Sequence, residues 1–438
     1  MANYNQNSTS YTHSFEPNTT QLTMAMDYNS LGQPIIRTIP YGDGATAGGT
    51  DAFGRQKIAS PYTLFDSQHR YQQNDKFWTS TATSATITHD ANASLVNMNV
   101  TAADGSSAIM ETKKVFPYQP GKALEIMATF TMAAGETDLR QRVGYFTEGN
   151  GIYLEKDGTD VYMVLRSSTT GSVVEERIAQ SNWNTDTLDG NSSTGITLDL
   201  SKSQILYIDI EWLGVGTVRT GFVIDGAFVT VHKFHHANDI TGTYMTTAAL
   251  PVRYEITNTG ATTQANTMKS ICTSVVSSGG FLPSGKQHTI GRNLTYYTMA
   301  TAGTYYHVLS IKLNASRLDA VVIPDAVNVL TNSNQNLQYR LVLDATFAST
   351  LSFSTHSNGN VDYSITDSAV TDPGEVVATK YIVNKGEAVV FTQRELSEMQ
   401  LTRDGGTDTP IVLSVIATAD SNNTTVSGNI GWIEPMQS

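Results

Sequence analysis

Residues 206–234 read LYIDIEWLGVGTVRTGFVIDGAFVTVHKF. Apolar and polar residues alternate through three runs, and glycine-containing breaks separate them. Alternation of period two is a strand signal in which one face is buried and the other partly wet. Asp225-Gly226 suits a two-residue hairpin, because both residues tolerate φ > 0. Closing the chain there pairs Ile224 with Ala227, Phe222 with Val229 and Thr220 with Val231 on a nearly apolar face. The other face pairs Val223 with Phe228 and Arg219 with His232. The expected unit is a three-stranded antiparallel meander, so the chain is a β protein whose function lies on sheet faces, loops or tails.

Working outward, the pattern repeats. Between 61 and 270, short strands are expected at 85–89, 94–100, 108–114, 123–131, 142–147, 152–156, 160–166, 173–178 and 252–257, besides the meander. More than ten strands in this space, punctuated by Gly and Asn/Asp, predict an all-β, concanavalin-like jelly-roll sandwich. Residues 271–290, including SSGGFLPSGK, read as a connector. A second, C-terminal β-sandwich domain is expected over 291–438, with strands at 305–313, 320–323, 338–343, 375–383, 387–391 and 411–419. Thr392-Gln-Arg-Glu395 reads as a capping box for a helix over 394–401. Residues 1–60 are polar and without sustained period, and 42–51 (GDGATAGGTD) reads as a loop. This part is expected to be an extended arm, with QPIIRTIPYG adding a strand to a neighbouring subunit.

Composition narrows the function. The chain has 438 residues, enough for two domains and an arm. Charged residues make up only 15%, a surface that suits packing in an assembly. The net charge of −13, with no basic stripe, argues against nucleic acid as a partner. One cysteine, Cys272, excludes an intrachain disulfide. The first fifteen residues lack the apolar core of a secretory signal, and no apolar run is long enough to insert in a membrane. The expected route is assembly in a reducing cytoplasm.

Candidate chemistry is sparse. Tyr207-Ile-Asp209-Ile-Glu211 puts Tyr207, Asp209 and Glu211 on one strand face. Some jelly-roll glycosidases carry Glu-x-Asp-x-Glu in this way, and retaining hydrolysis needs two carboxylates about 5–5.5 Å apart. Tyr207 stands where the nucleophile belongs, so the blander reading is a solvated face on which Arg219 and His232 compensate charge. His232, His235 and His236 cluster at a strand end, but alternation puts only 232 and 236 on one face, without a fourth ligand at metal spacing. Asp157-Gly-Thr-Asp160 reads as a hairpin turn before a calcium loop, and Ser106-Ser107 and Ser277-Ser278 lack a nucleophile elbow. Cys272, in an apolar run, is expected to be buried. The pairs Tyr296-Tyr297 and Tyr305-Tyr306 send one ring to each face of a strand; core packing is the commoner explanation, and an exposed member of each is a candidate for stacking on sugar or filling an interface. No catalytic, cofactor or metal residues are assigned from these patterns.

Three stretches resemble a family of tailed-phage virion structural proteins from phages of marine and freshwater bacteria. They are 51–67 (DAFGRQKIASPYTLFDS) with the following NDKFW at 74–78, 206–254 with its IEWLGVGTVRTGFVIDGAFVTVHKFHHAN and LPVRYEI, and 268–280 (MKSICTSVVSSGG). The resemblance covers about 51–285 and implies a non-catalytic structural role in a virion. Its expected form is a capsid decoration, cement or knob-like protein, anchored by the arm to other virion proteins and assembled as a homo-oligomer. Trimeric symmetry is the expectation for this class. The alternative is a tail or baseplate adhesion protein that binds host surface glycan. A polysaccharide depolymerase built on Asp209 and Glu211 is the rival from another class.

Overall fold

The computed structural model describes residues 61–280, 285–357, 359–383 and 400–435, with the strands 11–13, 22–28, 34–39 and 388–389. Two β-sandwiches follow one another, each around its own core. The first is the jelly roll. Its larger sheet runs, in order, Ala227–Phe234, Val218–Ile224, Gln204–Ile210, Leu124–Thr131, Asn266–Ser277, Leu95–Val100 and Ala85–Asp90. Tyr62–Gln68 is the eighth strand and pairs with Asn266–Ser277 as well. The facing sheet runs Val174–Ala179, Asp160–Ser167, Gly151–Asp157, Leu139–Phe146, Val252–Asn258, Ser107–Thr112 and Trp78–Thr83. Inward residues of both sheets, among them Ile208, Phe222, Val143 and Tyr254, close one apolar core.

Asn266–Ser277 is the spine of the larger sheet. On one side it pairs with Leu124–Thr131 along nearly its whole length; on the other it serves Leu95–Val100 and Tyr62–Gln68 in turn. The first half of the expected connector at 271–290 is therefore a central strand, and Gly285–Gly291 already belongs to the second sandwich. Mixed Ser, Thr and Lys between apolar residues made this segment look like loop; with partners on both sides, its backbone is satisfied in the ladder. Cys272 lies on this strand and is half-buried rather than buried, and burial raises its pKa, keeping a protonated thiol.

The Asp225-Gly226 turn forms with both residues at positive φ (50° and 78°), and Ile224–Ala227, Val223–Phe228 and Phe222–Val229 pair as read. Beyond that the register shifts between Thr220 and Gly221. Thr220 pairs with His232 and Arg219 with Lys233, correcting the expected Thr220–Val231 and Arg219–His232 pairs. Gly221 explains the slip's location. A Cβ there would lie 2.1 Å from the Val229 carbonyl oxygen and 2.8 Å from the Tyr207 ring, so the strand closes on that ring only with glycine.

The C-terminal sandwich stacks a five-stranded sheet, built around Thr424–Pro435, on a six-stranded sheet with Tyr306–Leu313, Leu413–Ala419 and Leu337–Leu343 at its centre. Its core holds Tyr339, Val415 and the fully buried Trp432. Thr424–Pro435 was not expected as a strand, and the strand expected at 320–323 runs instead from Ile323 to Leu330. Pro324 hid the latter: its missing donor falls at a register shift. The helix expected over 394–401 lies almost wholly outside the described residues, as does the loop at 42–51. Tyr11–His13, Leu22–Tyr28 and Pro34–Ile39 form a three-stranded sheet of their own. The expected edge strand in QPIIRTIPYG thus finds its partner inside the chain, where a short connection makes closure cheap. No helix among the described residues is long and apolar enough to cross a membrane.

Gly221→Ala should lower stability by about 1–3 kcal/mol through overpacking against Tyr207. Urea unfolding monitored by tyrosine fluorescence measures it; an unchanged midpoint would contradict the tight approach described here.

Candidate functional site

The residues singled out in the sequence do not converge. Tyr207 and Asp209 point away from the core on the larger sheet, yet both are sealed from water. The Tyr207 hydroxyl bonds to Thr230 Oγ1, and its ring meets Phe228 edge-on at 5.1 Å. Asp209 accepts a 2.6 Å bond from Arg219 Nη2, and Glu211, past the strand end, is fully buried. The face of compensating charge is real, but it is buried rather than solvated. Asp209 is locked on a guanidinium, and Tyr207 occupies the first position, where the nucleophilic carboxylate of the glycosidase pattern would stand.

The histidines separate as well. The register shift turns His232 to the core side, opposite Thr220, where its Nδ1 accepts from the Asn184 amide and its ring meets Phe234. Desolvation, aided by His235, lowers its pKa to about 4. His235 is exposed, whereas His236 stacks on Tyr244 at 4.0 Å. Asp157 and Asp160 close the two-residue hairpin, and Asp157 meets Arg177 at 2.9 Å. Ser106 donates to the Ser84 carbonyl, 22 residues away in the chain, and Ser277, at the end of its strand, donates to the Gly280 carbonyl. Of the tyrosine pairs, Tyr306 is buried and Tyr296, Tyr297 and Tyr305 are half-buried.

A different constellation stands on the outer face of the seven-stranded sheet. Even-numbered residues of Leu139–Phe146 point out, as do odd-numbered residues of Gly151–Asp157 and Val252–Asn258. Arg142 therefore sits between Glu155 and Glu255 on the flanking strands, at 2.6 and 3.6 Å. Glu155 also meets Arg177, and Arg166 meets Glu175 at 2.6 Å. Phe146, Tyr153 and Val164 make a small apolar island among them, over which Arg142, Arg166 and Arg253 lie within 6 Å of ring centroids. Burial by itself would lower the Arg142 pKa; Glu255 and Glu155 reverse that and raise it.

At the open end of this face the C-terminal domain closes a cleft of about 550 Å³. The hairpin formed by Arg403–Asp404 and Thr409–Pro410 packs onto strands Ser107–Thr112 and Trp78–Thr83. Gly405 and Gly406 permit this contact: a Cβ on either would come within 2.5 Å of Glu111 or Thr81 oxygen. Glu111 is held by Arg253 at 3.3 Å and by Arg403, from the other domain, at 3.0 Å. Val115 and Ala249 of the jelly roll meet Val321 and Ile323 beside it. Burial pushes the Glu111 pKa up to about 7 against the pull of both arginines. For Glu255, burial also pushes upward, but Arg253, Arg142 and Arg140 prevail and its pKa is lowered. Two carboxylates with opposite tendencies therefore share Arg253, whose Nη2 lies 2.9 Å from Glu255.

None of these residues was singled out from the sequence. The available signal was charge at two-residue spacing inside apolar strands, as in Arg253-Tyr-Glu255 and Arg140-Gln-Arg142.

No protein-family model matches the chain, and no curated protein does. Solved structures do. A β-1,3-1,4-glucanase (lichenase) derived from a mouse hindgut metagenome aligns at 12% identity over 48% of this chain and 97% of its own, with a TM-score of 0.33. The Emp47p carbohydrate recognition domain aligns at 10% identity over 49% of this chain and 96% of its own, TM-score 0.31. A glycosyl hydrolase family 16 protein from Mycobacterium smegmatis aligns at 13% identity over 49% of this chain and all of its own, TM-score 0.34. Each alignment covers about half of this chain.

Two outcomes follow from the charge lattice. Arg142→Ala removes one buried guanidinium from Glu155 and Glu255, which keep Arg177 and Arg253, and should destabilise the chain by about 1.5–3 kcal/mol, measurable by chemical denaturation. Glu111 binds its proton more tightly in the folded chain than at its ordinary 4.5. The folded state therefore holds more protons between pH 4.5 and about 7, and this contribution to stability is present below that window and lost as pH rises through it. Melting temperatures from pH 5 to 8 should fall less steeply for Glu111→Gln than for the native chain.

Proposed function

We propose that this chain is a structural component of a bacteriophage virion, a compact decoration or knob-like subunit held to its particle by residues 1–60, acting by binding rather than catalysis. The observation that carries the non-catalytic part is the Arg253 guanidinium lodged between Glu111 and Glu255. Asp209 on Arg219 repeats the arrangement on the other sheet. In both places the carboxylates neutralise the protein's own cations, the opposite of a cleft kept open for a glycosidic bond.

The virion part is supported by the stretches that resemble tailed-phage structural proteins, and their residues build the sandwich. Phe65 packs against Phe77, Trp78 and Phe116; the 206–234 meander forms one edge of the larger sheet; 268–277 is most of its spine. These are packing motifs, suited to a subunit whose work is to hold a shape. Oligomerisation, with three-fold symmetry as the class expectation, belongs to the same proposal. A tail or baseplate adhesion role is the second reading, favoured by the exposed Tyr381 on the C-terminal domain.

Cryo-electron microscopy of the intact particle tests the placement. Density on the capsid lattice supports decoration, density at the tail or baseplate supports adhesion, and absence from the particle overturns both. Deleting residues 1–50 should abolish incorporation and leave a folded, soluble remainder; full occupancy by the truncated chain would overturn the arm's role.

A further inference from the structure

The outer face of the six-stranded sheet carries a row of side chains that neither core uses. Tyr305 precedes strand Tyr306–Leu313, Gln338 and Arg340 lie on Leu337–Leu343, and Tyr381 lies on Glu375–Ile382, the strand at the end of the sheet order. The Tyr305 hydroxyl donates to Gln338 Oε1, and Gln338 Nε2 donates to the Tyr381 hydroxyl. Gln338 and Tyr381 are direct partners in the ladder. Arg340 holds its guanidinium carbon 4.5 Å from the centroid of the Tyr305 ring.

Three physical points make this row a site. Both hydroxyls are committed to Gln338, which fixes the two rings before anything binds and reduces the ordering cost of a ligand. Tyr381 is 68% exposed, so what it offers to solvent is largely its ring. Arg340 is the third point. The guanidiniums of Arg142, Arg177, Arg219, Arg253 and Arg403 each meet a carboxylate. Arg340 makes no ion pair among the described residues, in a chain of net charge −13. An unneutralised guanidinium two residues along the strand from Gln338, whose ladder partner is the exposed Tyr381, is complementary to a ligand that brings both a carboxylate and an apolar face.

The geometry points to an acidic-saccharide site formed by Tyr305, Gln338, Arg340 and Tyr381. A pyranose stacks its C–H face on Tyr381, and its carboxylate meets Arg340. Its position suits an adhesive tip. Glu375, at the start of the same strand, meets Lys76 of the jelly roll, and six residues of strand place Tyr381 about 20 Å from that junction. The inference goes beyond the virion assignment and stands without it, because the purified chain is what is tested.

The full chain is titrated with hexagalacturonate, with maltohexaose as the neutral reference, by saturation-transfer NMR and calorimetry, and is applied to an array of uronate- and sialate-bearing oligosaccharides. Saturable binding of an acidic sugar is expected, weakened at least tenfold by Tyr381→Ala and by Arg340→Gln. Circular dichroism confirms that these surface variants remain folded. No binding to any acidic sugar on the array, or equal binding by the Tyr381→Ala variant, overturns the proposal. So does a change in sedimentation mass caused by Tyr381→Ala without any sugar binding, which would make the row a contact between copies of the chain.

Discussion

The seven-stranded sheet can meet the C-terminal domain only because each charge sealed on its outer face is answered by an opposite one. A guanidinium or carboxylate removed from water loses several kcal/mol of hydration, and only close, well-directed partners restore it. Strand pairing supplies the geometry. Arg142 stands on the central strand with a glutamate directly opposite on each side, so one ladder register satisfies three charges at once. A one-residue slip of the central strand would turn Arg142 into the apolar core and leave both glutamates without it. The lattice therefore works as a lock on register more than as a source of net stability, since apolar replacements of similar volume often hold a fold as well.

The same requirement joins the two sandwiches. Glu111 belongs to the jelly roll and Arg403 to the second domain, so the hairpin at 403–410 completes a charge balance that the first domain leaves open at its edge. Two glycines let the hairpin descend far enough to do so. The exposed Lys76–Glu375 pair across the junction adds little by comparison, because solvent screens it. Among the described residues the domains also meet through a small apolar contact, the close approach of the hairpin backbone and a bond from Gln400 Nε2 to the Val115 carbonyl.

These features bear on function through what they leave unavailable. A hydrolase needs carboxylates that are free to exchange protons or attack. Here the strongest candidates are tied to arginines on both sheets. On the second domain the exposed Tyr381 shares a sheet face with Arg340, which makes no ion pair among the described residues.

Taken alone, the sequence determined the all-β class, most strand positions in the jelly roll, and the Asp225-Gly226 turn. All of these depend on local alternation and on backbone preference within a few residues. It left several things undecided. Nothing local marks the shift at Gly221, because its cause is the Tyr207 ring from the next strand. Asn266–Ser277 and Thr424–Pro435 are rich in Ser, Thr, Asn and Gly and look like loop until partners flank them on both sides. The charge lattice was visible only as scattered Arg and Glu, since its members lie up to 292 residues apart in the chain. Burial of Asp209 and Glu211 was equally out of reach: a strand's alternation tells which residues share a face, and only the packed structure decides whether that face meets water.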